Sequence, residues 1–168
     1  MNNQNCTIQT QNLSIGYKSK SGTITIAKNI NLSLEKGKLI ALIGENGIGK
    51  STLLKTLTGI IPSLKGEVTL LNKPLQSFKL LDLAQELSIV LTEKLPPSNL
   101  TIYEIIALGR QPYTNWLGTL SEEDKIKINK AIALTEIEHL IHKKHDEVSD
   151  GQLQIALIAR ALAQDTSI

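Results

Sequence analysis

Apolar and polar positions alternate in short runs through residues 6–43, as in Ile24–Ala27 and Ile30-Asn31-Leu32-Ser33-Leu34. That two-residue period predicts strands. The turn Glu35-Lys36-Gly37 closes the zone, and Lys38-Leu39-Ile40-Ala41-Leu42-Ile43 follows as a continuous apolar run, predicting a buried strand. Ser51–Thr58 then has helical spacing. Gly66–Asn72 reads as a strand ending in a turn, and Leu87–Leu91 as another. From Leu100 the period changes. Thr101 with Glu104 makes a capping box, and Ser121 with Glu122, Glu123 and Asp124 opens a second helix. The apolar positions of that helix are Ile126, Ile128, Ala131, Ile132 and Leu134, and a further helical run covers 152–163. Strands, a helical stretch and a return to helix predict an α/β core with an inserted helical subdomain.

Between the predicted buried strand and its helix lies Gly44-Glu45-Asn46-Gly47-Ile48-Gly49-Lys50-Ser51-Thr52. This run satisfies G-x-x-x-x-G-K-[ST], and strand–loop–helix is the context in which that pattern cradles a polyphosphate. Glycines let successive N–H groups turn toward an anion, and the helix N-terminus adds partial positive charge. Lys50 is placed to reach the β- and γ-phosphates of a nucleoside triphosphate, and the Ser51 hydroxyl to ligate Mg²⁺. Gly44 through Thr52 are therefore the candidate nucleotide-binding residues.

Composition alters this picture little. At 168 residues the chain is one domain's worth, and a net charge of +2 with scattered lysines argues against a nucleic-acid partner. The single cysteine, Cys6, excludes a disulfide framework and suits a reducing cytosol. No run approaches the roughly eighteen consecutive apolar residues of a membrane span. Met1-Asn2-Asn3-Gln4-Asn5 lacks a signal peptide's apolar stretch. We expect a cytosolic protein, held at a membrane only by a partner.

Together these residues resemble the ATP-binding subunit of an ABC transporter, along the whole chain. Leu13-Ser14-Ile15-Gly16-Tyr17 is similar to the family's early strand, whose terminal aromatic stacks on adenine, so the resemblance implies that role for Tyr17. Val148-Ser149-Asp150-Gly151-Gln152 is similar to the signature Leu-Ser-Gly-Gly-Gln that opens a helix. Ser149 suits an N-cap there, and the helix amides suit an anion. In the family, two subunits pair head to tail, and the signature of one closes over the γ-phosphate held by the other. Ser149, Asp150, Gly151 and Gln152 would make that contact in trans. Asp150 departs from the pattern at its first glycine, and Val148 replaces leucine.

Family spacing places the Q-loop glutamine at Glu93, where a carboxylate can also serve Mg²⁺. Glu93 is thus a metal and catalytic candidate beside Lys50. The run Leu100–Tyr113, ending Leu-Gly-Arg-Gln-Pro-Tyr, is similar to subunits serving iron–siderophore, haem and cobalamin importers.

The expected fold is an α/β P-loop fold with a parallel core sheet, an antiparallel β-subdomain and an inserted helical subdomain. Residues 1–93 would form the nucleotide-binding core and β-subdomain, 94–150 the helical subdomain, and 151–168 the start of a return to the core. The resemblance implies ATP and Mg²⁺, transmembrane permease subunits, a second ATPase subunit, and residence at the cytoplasmic face of a bacterial inner membrane. It also expects an apolar strand ending in Asp-Glu after Ile168, so the 168 residues read as a C-terminally incomplete cassette, inactive in hydrolysis and poorly soluble. A soluble, non-transport ABC ATPase is the competing reading, as is a non-catalytic fragment.

Overall fold

The computed structural model describes residues 6–20, 22–91, 96 and 98–168, in two compact units. The first covers residues 1–79 with Ile168, and the second residues 80–167.

The first unit is built on β1 (Cys6–Ser19), long enough to carry partners on both edges. Strands β2 (Gly22–Ile30) and β3 (Ser33–Glu35) pair with it along one part or another, as does β4 (Lys65–Leu70), which continues through a turn into β5 (Lys73–Pro74). Every pairing is antiparallel. Helix α1 (Lys50–Leu57) packs on β1. Leu13, Ile15 and Leu70 are fully buried there with Thr56, each apolar side chain contributing about 1.5–3 kcal/mol.

β1 breaks its own alternation. Residues 13–16 are all buried, and the pairing with β2 shifts register between Leu13 and Ile15 and again between Ile15 and Gly16. A bulge of this kind bends a strand and re-aims the side chain beyond it. The side chain beyond it is Tyr17. Gly16 is obligatory at the bend, because a Cβ there would overlap the Ile24 carbonyl oxygen.

The parallel core sheet expected from Lys38–Ile43 and Leu87–Leu91 is not among the described strands. Residues 38–43 have no regular structure and are exposed throughout, with Leu39 at 101 % and Ile43 at 89 % of full exposure. Residues 88–91 are likewise irregular and half-buried. An apolar run becomes a parallel strand only where neighbours take up its backbone groups on its edges and cover its faces. No described strand pairs with either segment. Exposed apolar backbone of this kind is an aggregation site. Leu39→Lys with Ile43→Lys is therefore expected to raise the soluble fraction of the 168-residue chain, read by light scattering after a fixed incubation. Unchanged scattering would place the liability elsewhere.

The second unit is helical: α2 (Leu80–Glu86), α3 (Ile102–Ala107), α4 (Glu122–Thr135) and α5 (Asp150–Gln164). Thr101 forms the expected capping box with Glu104, and Ser121, expected only to open a helix, forms a second one with Asp124. One core joins α3, α4 and α5 through Ile102, Ile105, Ile106, Ile128, Ala131 and Ala159 with their neighbours. On α4, Ile128, Ala131 and Ile132 are buried, whereas Ile126 and Leu134 are each 64 % exposed. Both lie outside the buried arc, so the apolar face is narrower than the sequence pattern implies. Among the described residues no helix is long and apolar enough to cross a membrane.

Candidate nucleotide-binding site

Gly44–Ser51 is a solvent-facing loop running into the first turn of α1. Its shape depends on two backbone positions in the left-handed region, Gly47 at φ 84° and Gly49 at φ 110°. Gly49 is the N-cap of α1 and accepts from the Leu53 amide at 2.9 Å, with no side chain capping the helix. The amides of the first turn are thus left for an external anion. Gly49 also packs against Ile26, whose Cγ2 a Cβ at residue 49 would overlap. Gly49→Ala is expected to strain the left-handed turn and push against Ile26, lowering the midpoint of thermal unfolding by several degrees. An unchanged midpoint would contradict this packing.

The Lys50 ammonium donates to the Gly44 and Glu45 carbonyls, both at 2.7 Å, and so spans the loop. Ser51 is exposed one residue further on. Backbone N–H groups, a helix N-terminus, an ammonium and the hydroxyl of an exposed serine form a set suited to a magnesium–polyphosphate. Tyr17 lies close to the same helix, its phenol 2.9 Å from the Thr52 hydroxyl, while 45 % of the residue is exposed.

In the second unit, Ser149 caps α5. Its hydroxyl accepts from the Gln152 amide at 3.3 Å, and the Gln152 carboxamide accepts from the Ser149 amide at 3.0 Å. Asp150 and Gly151 are exposed in the first turn, and a Cβ at Gly151 would meet nothing within 4 Å. Glycine inside a helix costs about 1 kcal/mol relative to alanine, and nothing among the described residues crowds this position. Ser149→Ala should lower stability by about 1 kcal/mol in urea unfolding, through loss of the cap. Stability within error of the parent would show that α5 is held by its core alone. Glu93 lies outside the described residues.

The stretch Leu108–Tyr113 has a structural role inside the helical unit. Gly109 passes so close to α5 that a Cβ would overlap the Arg160 carbonyl. Arg110 is buried, its Nε donating to Asp124 at 2.8 Å and its Nη1 to the carbonyls of Ala163 and Gln164 at the end of α5. The guanidinium carbon sits 3.9 Å from the Tyr113 ring centroid. Pro112 accepts from Gln85, and the Tyr113 hydroxyl donates to the Gln85 carbonyl. Leu108–Tyr113 therefore fastens α2, the start of α4 and the end of α5 together. Burial pushes the Asp124 carboxyl up, but hydrogen bonds from Ser121 and Arg110 outweigh it, and the group titrates below the usual carboxylate range.

A family model described as ABC transporter matches residues 27–168. The chain belongs to that family. An uncharacterized ABC transporter ATP-binding protein of Methanocaldococcus jannaschii is 42 % identical over 161 residues, covering 96 % of this chain and 54 % of that protein. The iron(3+)-hydroxamate import ATP-binding protein FhuC of Bacillus subtilis is 37 % identical, over 96 % of this chain and 58 % of that protein. Among solved structures, the dimeric ATP-binding cassette MJ0796 in a post-hydrolysis state, bound to ADP and Pi, superposes with a TM-score of 0.78. It is 26 % identical, covering 95 % of this chain and 70 % of that one. The fold is that of an ABC ATPase. This chain spans a little over half the length of these curated relatives.

Proposed function

We propose that this ABC chain binds Mg·ATP at Gly44–Thr52 and serves the ATP-binding subunit of an importer for an iron–siderophore, haem or cobalamin. The observation that carries the reading is the loop itself: left-handed Gly47 and Gly49 lead into an uncapped helix N-terminus, with the Lys50 ammonium lying across the turn. ATP supplies the transferable phosphoryl group, and Mg²⁺ offsets the charge of its oxygens. The chain's residues do the holding. Lys50 would exchange its two carbonyl partners for phosphate oxygens, Ser51 and Glu93 would provide oxygen ligands for Mg²⁺, and Tyr17 would offer its ring to adenine.

The exposed start of α5, with Ser149, Asp150, Gly151 and Gln152, supports a trans contact to a second ATPase subunit paired head to tail. Gly151 leaves room for close approach there. Permease subunits at the cytoplasmic face of the membrane would be the other partner. The importer class rests on the similarity to proteins such as FhuC, named for iron(3+)-hydroxamate import. The test is uptake of radioactive iron as a hydroxamate siderophore, haem or labelled cobalamin in a strain lacking the gene. Restoration of one uptake by the natural gene but not by its Lys50→Ala form is expected. If all three uptakes proceed normally without the gene, the importer assignment falls.

A further inference from the structure

We propose that Tyr17 is a positioning residue for the phosphate loop, acting through its hydroxyl on Thr52, in addition to any contact its ring makes with a base. The proposal rests on the nucleotide-site reading above and deepens it.

Thr52 stands in the first turn of α1 and is 5 % exposed, so water does little for its hydroxyl. A helical threonine ordinarily donates to the carbonyl four residues back, as Thr56 does to Thr52 at 2.8 Å and Thr135 to Ala131 at 2.8 Å. Four residues before Thr52 is Ile48, which lies in the loop and outside the helix. The Tyr17 phenol instead meets the Thr52 hydroxyl at 2.9 Å. A buried hydroxyl deprived of its partner is costly, so this bond has a structural consequence. It pins the first turn of α1, whose amides face the phosphate loop, to the end of β1. The bulge at Ile15 and Gly16 delivers Tyr17 to that place, and the exposed 45 % of the residue remains open. One side chain thereby joins two sub-sites: the ring edge orders the phosphate-binding turn while the ring face stays available for a base.

Inorganic tripolyphosphate separates these roles, because it carries phosphates and no base. Its affinity is read by displacement of a fluorescent ATP analogue from the 168-residue chain, with Lys50→Ala as the reference for the loop. Tyr17→Phe keeps the ring and removes the hydroxyl. It is expected to weaken tripolyphosphate and ATP by the same factor, about five-fold, the worth of one such hydrogen bond. In a Thr52→Val background the same change should have no further effect, whereas Thr52→Ser, which keeps a hydroxyl, should preserve the five-fold dependence. Tripolyphosphate affinity unchanged by Tyr17→Phe, or equal losses in the parent and Thr52→Val backgrounds, would overturn the proposal and leave the nucleotide site standing. Binding that is absent, or indifferent to Lys50→Ala, would overturn both.

Discussion

Replacing Arg110 with methionine is expected to destabilise the helical unit by about 3–5 kcal/mol, the loss typical when one partner of a buried ion pair is removed. The side chain is 5 % exposed and Asp124 is 4 % exposed, so neither charge has water to fall back on. The substitution strands the Asp124 carboxylate with only its Ser121 bonds and frees two carbonyls at the end of α5. Against a typical total of 5–15 kcal/mol this is a large fraction. Urea unfolding followed by helical circular dichroism measures it. Adding Asp124→Leu should recover part of the loss, because an apolar pair leaves no buried charge unmatched. A loss under 1 kcal/mol in the single variant would contradict the network. The same carboxyl carries a pH signature. Its folded pKa is depressed, so its contribution is fully present above its unfolded value, about 4, and drains as pH falls through the lower folded value.

The second large effect is on binding. Lys50→Ala should weaken a fluorescent ATP analogue roughly 10- to 100-fold, the range expected for a lost charge-assisted contact to phosphate. The fold should survive, since among the described residues the Lys50 side chain is bonded only to loop carbonyls at an exposed turn. Equilibrium titration with matched circular dichroism checks both halves. Equal affinity in the two proteins would remove the phosphate loop from the account.

Local chemistry made much of this legible. The capping box at Thr101 needs only two residues at fixed spacing and forms as expected, and the helix that Ser121 opens forms too, with a capping box of its own. The loop from Gly44 to Thr52 is equally local, and two of its glycines, Gly47 and Gly49, sit where the backbone is left-handed. Lys38–Ile43 shows the opposite case. Its apolar run states a preference for burial, but pairing depends on a neighbour, and a strand's own residues do not encode one. The bulge that aims Tyr17 was hidden for a related reason, since it is a property of two strands' register. The Arg110 clamp joins residues 14 and about 53 positions apart, beyond any periodicity. The spacing of Ser121 and Asp124 is that of a capping box and is visible in the sequence, but the second partner of Asp124, Arg110, is not.

The central claim is that Gly44–Thr52 holds Mg·ATP. Amide hydrogen exchange measures it where it would occur, in the peptides covering residues 44–57. With Mg·ATP these amides should slow markedly in the parent chain and not in Lys50→Ala, while the peptides of α3 and α4 stay unchanged. Exchange across 44–57 that is indifferent to Mg·ATP at concentrations up to several millimolar would contradict the account.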